Sequence, residues 1–257
     1  GGWNHYSHYS IIIQVLQRTK GWNIMCGRFT STASPEELMR LFGVTVMDNL
    51  EPRWNLAPSQ SAPVIVQNGL QAEARLVSWG LPPAAEGPSF LINARMETVT
   101  EKPTFRNSFA TRRCIVPASG WYEWSAPKTP WHVQLSDGGV MGFAGLLLRR
   151  GNSDRFVIMT SAADGTLASV HHRQPLVLPK AAWSGWLAGD ATQARALCVG
   201  APANAFNWYR VSPDVGRVSE DHPGLVTPLD DAAIASEAAD KRSSLGRNGG
   251  AQGDLFG

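Results

Sequence analysis

The apolar stretches of this chain are short and closely punctuated, and that restricts what it can fold into. Pro63 to Val66, Ala74 to Val77, Cys114 to Pro117, Trp131 to Leu135, Val140 to Leu148 and Arg155 to Thr160 are strand-sized, with turn residues between most of them. Asn68-Gly69 reads as the type I′ turn of a hairpin joining the first two. Asp137-Gly138-Gly139 reads as a turn pairing Trp131–Leu135 with Val140–Leu148, and Val211 and Val218 suggest a last pair of short strands. Helix signals are fewer. Ser34-Pro35-Glu36-Glu37 is an N-cap, a proline at N1 and a glutamate at N3, followed by Leu38, Leu41 and Phe42 and stopped by Gly43. A second helix opens at Pro179 and a third covers Thr192 to Leu197, while residues 44–54 read as loop. Many short strands with scattered helices predict an α+β fold with a mainly antiparallel core. No run approaches the ~18 apolar residues of a membrane span, so no membrane partner is expected.

At 257 residues the chain suits one large domain or two small ones. Its net charge of +2 excludes a polybasic nucleic-acid arm but permits a local basic patch. Cys26, Cys114 and Cys198 have neither metal-ligand spacing nor an even disulfide framework, which predicts reduced thiols, a cytoplasmic setting and no metal. No Gly-rich phosphate loop is present, and no cofactor is expected. Residues 1–24 begin with Gly1-Gly2 and read as a leader or a mis-assigned start. Residues 25–230 read as one domain, and residues 231–257, rich in Ala, Asp, Ser and Gly, as a disordered tail.

Met25-Cys26-Gly27-Arg28-Phe29 looks like a translation start. With Met25 removed, Cys26 would carry an α-amine and a thiol on adjacent carbons, a pair able to convert an aldehyde into a thiazolidine. An α-amine titrates near pH ~8, so part of it is unprotonated at neutrality. The alternative is an internal, buried cysteine. Asn93 lies in an apolar strand, where an amide needs partners. Glu123 is fenced by Trp121, Tyr122 and Trp124; buried there it would favour its protonated form, whereas on an alternating strand it would face solvent. Either His171 or His172 is a possible acid/base, or the two are a surface pair beside Arg173. Arg28, Arg95, Arg106, Arg112 and Arg113 could follow a phosphate backbone or pair with carboxylates.

Taken in order, the motifs are Cys-Gly-Arg-Phe, Asn-x-Ala-Pro, Trp-Gly, Asn-Ala-Arg-x-Glu-Thr, Arg-Cys-x-Val-Pro-Ala-x-Gly-Trp-Tyr-Glu-Trp and His-x-Arg-x-Pro. From Met25 to about Leu229 the chain closely resembles the SOS-response-associated peptidase family, the abasic-site processing proteins. The resemblance implies a single α+β domain with a barrel-like antiparallel core and peripheral helices. It also implies a monomer that binds single-stranded DNA, attaches covalently to abasic sites and acts on the bacterial nucleoid. Carried over by motif, Cys26 is the nucleophile, Asn93 holds its amine, and Glu123 and His171 move protons. Arg28, Arg95 and Arg113 hold phosphates, Thr160 lines the pocket, and Trp79 or Phe90 stacks on bases. The resemblance further implies self-removal of residues preceding the cysteine. A cysteine peptidase acting on other proteins and a non-catalytic single-strand-binding module are the competing readings. His172, where some relatives carry an acidic residue, and the Pro/Ala loop at 82–88 depart from the family pattern.

Overall fold

The computed structural model describes residues 27–45, 50–83, 90–125, 128–237 and 239. The leader, Cys26, most of the Pro/Ala loop and residues 241–257 lie outside them.

In chain order the elements are β1 (Arg28–Ser31), α1 (Pro35–Phe42), β2 (Arg53–Leu56), β3 (Ser61–Asn68), β4 (Gln71–Trp79), β5 (Asn93–Arg95), α2 (Pro103–Thr111) and β6 (Arg113–Ala118). There follow β7 (Gly120–Ser125), β8 (Thr129–Leu135), β9 (Met141–Arg150), β10 (Ser153–Ala162), β11 (Arg173–Pro175), β12 (Val177–Leu178), α3 (Trp183–Ala188), α4 (Ala191–Ala196) and β13 (Phe206–Arg210). Strands β3, β4, β10, β9 and β6 pair in a ring, because β10 is bonded both to β9 and, in parallel, to β4. The result is a closed five-stranded barrel, which leaves these strands no free edge. A second sheet, ordered β13-β8-β7-β1-β2, lies against it. The α+β expectation with a mainly antiparallel barrel core therefore holds.

Alternate residues of the barrel strands serve two cores, as the two-residue period of a strand requires. Val64, Val66, Cys114, Val116, Phe143, Phe156 and Ile158 join Phe29, Leu56 and Trp121 of the second sheet. Their neighbours Ile65, Ile115, Ala144, Val157 and Met159 join α1, α2, α3 and α4 through Leu38, Phe105, Phe109, Trp183, Trp186 and Ala194. Helix α1 begins as its sequence predicts: Ser34 Oγ accepts from Glu37 N at 3.2 Å, and Gly43 N donates to Met39 O. Phe42 stacks on Trp183 at 4.3 Å.

Five expectations are corrected. Asn68 pairs with Gln71, so the β3–β4 loop is Gly69-Leu70 rather than Asn68-Gly69. Positive φ occurs at Gly69 (61°) and not at Leu70, the pattern of a type II′ rather than a type I′ turn. Strands β8 and β9 do not pair: β8 is flanked by β7 and β13, so the Asp137-Gly138-Gly139 turn carries the chain between sheets. Val211 and Val218 are not strands; Val211 follows β13, and a 3₁₀ turn at Pro213–Gly216 comes next. The segment read as loop over 44–54 already contains the start of β2, which β1 recruits through Phe29↔Leu56. Residues 231–237, placed in the disordered tail, are helical, with Asp230 Oδ1 accepting from Ala233 N at 2.7 Å and Arg210 pairing with Glu237.

The second sheet buries a histidine that no sequence motif singles out. His132 pairs with Tyr122 across β7 and β8, and its Nδ1 lies 3.1 Å from the Tyr209 hydroxyl. Gly120 makes room for the ring: a Cβ there would meet His132 Nε2 at 2.2 Å. Burial lowers the His132 pKa to about 4. As pH falls from the unfolded value near ~6.5, the unfolded chain takes up the proton first, so stability is lost down to about pH 4. The expected loss is about 3 kcal/mol. Denaturant melts at neutral and mildly acid pH should show it, and His132→Gln should lack that component. An equal pH response in both proteins would disprove it.

Candidate active site

The site forms where the second sheet meets the edge of the barrel sheet. Glu123 lies in the middle of β7, paired to Trp131 of β8, and is 2% exposed. It shares a strand face with Trp121, whose ring belongs to the barrel-side core. The sequence left Glu123 either buried or facing solvent; it is buried. His171 follows a 3₁₀ turn at Gly165–Ser169, anchored in the same core by Leu167 and Val170. Its Nδ1 lies 3.7 Å from Glu123 Oε2. That is longer than a hydrogen bond but close for two ionisable groups away from bulk water.

Burial is the main force lowering the His171 pKa, helped by the nearby His172 and Arg173 charges and opposed by the Arg173 carbonyl. The imidazole is thus biased toward its neutral form. Arg173 N donates to Nδ1 at 3.2 Å, and Arg173 O lies at the same distance. The first contact suits a ring unprotonated at Nδ1; the second suits a ring protonated there. Both states therefore find a backbone partner without the ring moving. His172 is exposed, its ring 4.4 Å from that of His171.

Strand β5 delivers the Asn-Ala-Arg motif along β10, in parallel register Ile158↔Asn93 and Thr160↔Arg95. Asn93 is half-buried and Arg95 is exposed. Thr160 is fully buried, and both its carbonyl (2.7 Å) and hydroxyl (3.1 Å) accept from Arg173 Nη2. Antiparallel pairing of β10 with β11, Thr160↔Pro175 through Ala162↔Arg173, places the His-x-Arg-x-Pro segment against that edge. Asn93, Arg95, Thr160 and His171 are thereby brought to one place, with Glu123 across the seam.

The other candidates are used differently. Trp79 is 0% exposed, packs edge-on to Phe29 at 5.1 Å, and donates Nε1–H to Ile92 O at 3.0 Å. It is a core residue and cannot stack on a base as expected, because the ring faces the interior. Arg113 is buried and donates to the carbonyls of Phe109, Ala110, Trp186 and Gly189, tying the end of α2 to α3. Its guanidinium is occupied away from the seam. Arg28 is likewise buried, with Nη1 donating to Asn55 Oδ1 and Val215 O, each at 2.8 Å. Burial lowers its pKa to about 10, which leaves it charged at neutrality. Cys26 lies outside the described residues, but Gly27 is buried and Arg28 pairs with Tyr122, the residue before Glu123.

Two participants went unassigned in the sequence. Glu97 and Arg173 form a bidentate ion pair, with Nη1–Oε1 2.6 Å and Nη2–Oε2 3.0 Å. Each stood inside a quoted motif, and their opposite charges were the available signal. Among the described residues, no group of three His, Cys, Asp or Glu is placed to hold a metal, and no helix is long and apolar enough to cross a membrane.

A closed barrel and a facing sheet, with a buried carboxylate and a half-buried imidazole 3.7 Å apart at their seam, define an α+β protein that brings an acid and a base together between its two sheets. Comparison with known proteins then places the chain: residues 25–218 match the family described as SOS response associated peptidase (SRAP), and the chain belongs to that family. It is 30% identical over 221 residues to abasic site processing protein YoqW of Bacillus subtilis, covering 79% of this chain and 99% of that one. Abasic site processing protein YedK of Escherichia coli is 30% identical over 222 residues, covering 80% and 100%. A phage-related protein from Bordetella bronchiseptica has a similar structure, with TM-score 0.63 and 30% identity, covering 72% of this chain and 94% of that one.

Proposed function

We propose that this protein processes abasic sites in single-stranded DNA by crosslinking to them through Cys26. The observation that carries the reading is the buried Glu123–His171 pair, 3.7 Å apart, beside the start of the strand that Cys26 precedes. The names of the relatives support the substrate class. In the reaction, the Cys26 amine adds to the C1′ aldehyde of the ring-opened sugar. The carbinolamine loses water to give an iminium, and the thiol adds to the iminium carbon with loss of its proton. The sum is aldehyde plus aminothiol giving thiazolidine plus water. Glu123 and His171 supply a proton to the departing hydroxyl and accept one from amine or thiol, and Asn93 orients the amine. Exposed Arg95 meets the DNA backbone, which positions the strand without reading its sequence. Removal of residues preceding Cys26 uses the same nucleophile and acid/base pair. The protein then acts in the cytoplasm, on nucleoid DNA.

The test is incubation of protein whose first residue is Cys26 with a single-stranded oligonucleotide bearing one abasic site. A denaturation-resistant adduct is expected, absent with undamaged DNA. Glu123→Gln should slow its formation by about 10²–10⁴-fold. No adduct from protein verified to begin at Cys26 would end the proposal, and turnover of unrelated peptides would point to a peptidase acting on other proteins.

A further inference from the structure

Arg173 holds two partners of opposite character. Its contacts to Thr160 are buried and fix the guanidinium to β10. Its bidentate contact to Glu97 lies at the rim: the Glu97 side chain is 43% exposed and that of Arg173 10%. Hydrogen bonds from Arg173 lower the Glu97 pKa, which keeps the carboxylate ionised at neutral pH. Exposed Arg95 is two residues away and pairs with Thr160 on the same strand edge. An accessible carboxylate on Arg173 would repel a DNA backbone if it stayed in place. A carboxylate and a phosphate offer a guanidinium the same two-oxygen geometry.

We propose that Glu97 holds the place of a DNA phosphate on Arg173 and is displaced by one when a single strand binds. The proposal rests on the reading above for the identity of the strand. In the free protein Glu97 keeps the guanidinium aimed and its charge partly neutralised. On binding, Nη2 stays with Thr160 while the Glu97 carboxylate turns to solvent and a phosphate takes its two contacts. Displacement has a thermodynamic signature. Each phosphate neutralised releases counterions from the DNA, but a carboxylate freed at the same moment attracts cations back. The wild-type protein therefore shows a shallower salt dependence than its number of phosphate contacts would give.

The experiment measures binding of an undamaged oligothymidylate by fluorescence anisotropy across a series of salt concentrations. Glu97→Gln removes the charge but retains the shape. It is expected to bind about 3–10-fold more tightly at low salt, with a log–log slope steeper by up to ~0.7, the increment for one single-strand phosphate. Glu97→Ala, also uncharged, should shift the slope the same way and guards against a fault specific to the amide. An unchanged slope, or weaker binding by variants whose thermal melts match the wild type, would overturn the exchange and leave Glu97 as a positioning residue for Arg173. Wild-type protein that crosslinks abasic DNA while the slopes coincide refutes the exchange alone. Wild-type protein that neither binds the strand nor forms an adduct refutes both.

Discussion

Protein beginning at Cys26 is expected to lose the crosslink to abasic DNA completely, and to cut the strand instead, on either Cys26→Ala or Cys26→Ser. Each removes the thiol and leaves the amine, so the contrast with the wild type separates the roles of the two nucleophiles. Both variants keep the α-amine, which titrates near pH ~8 and so retains an unprotonated fraction at neutrality. Both can therefore form the iminium at C1′. Only a thiol, with its pKa near ~8.5, offers an appreciable thiolate fraction to capture it. A serine hydroxyl does not, so the iminium persists and acidifies the neighbouring C2′ proton. β-Elimination then expels the 3′ phosphate. On a denaturing gel the wild type should give one slow adduct band, and both variants a shortened oligonucleotide. Neither change should disturb the fold: Gly27 is already buried, and the Arg28 contacts to Asn55 and Val215 do not involve residue 26. Melting temperatures therefore serve as a control. A stable crosslink from Cys26→Ala would place the nucleophile elsewhere. Protein retaining a residue ahead of Cys26 should give neither adduct nor shortened oligonucleotide until that residue is removed, because an acylated nitrogen cannot form the iminium.

The order of strands and the site motifs could be read from the residues because both are local. Short apolar runs mark β6 and β10, and Ser34, Pro35 and Gly43 mark α1, since caps and periods depend on neighbours in sequence. Pairing partners are not local. Asp137-Gly138-Gly139 has the chemistry of a hairpin turn, yet β8 finds β7 and β13 while β9 finds β6, β10 and β12, because the barrel must close. The turn residues allow a reversal of the chain but do not choose the sheet. The same limit applies to the arginines. Composition made Arg28, Arg95 and Arg113 equivalent, but only Arg95 is exposed on the seam; the other two satisfy backbone carbonyls left by a loop and by helix ends. Such carbonyls appear only once the helices have packed. Helix α2 is hard to read for a related reason: it has no side-chain cap at Lys102, and Pro103 at N1 is a weak start signal by itself.

Trp79→Ala is expected to destabilise the protein by about 3–5 kcal/mol, the range for deleting a large buried aromatic. For a domain of this size that lowers the melting temperature by about 6–20 °C. The deletion leaves a void between Phe29, 5.1 Å away edge-on, and Phe156, stacked at 6.2 Å, where the second sheet meets the barrel. Arg95→Ala, at an exposed position, should change stability by no more than ~0.5 kcal/mol. Trp79→Phe is the more informative variant. It keeps a ring in the core but removes the Nε1–H bond to Ile92 O, which tethers the residue immediately before Asn93. Loosening that tether should slow adduct formation through Asn93 while leaving affinity for undamaged single strands near the wild-type value. If Trp79 instead stacked on bases, Trp79→Phe would weaken binding of undamaged DNA, and Trp79→Ala would do so without a large loss of stability. The contrast between rate and affinity, measured on one protein preparation with one oligonucleotide series, decides between a tryptophan that positions the site from within the core and one that touches the DNA.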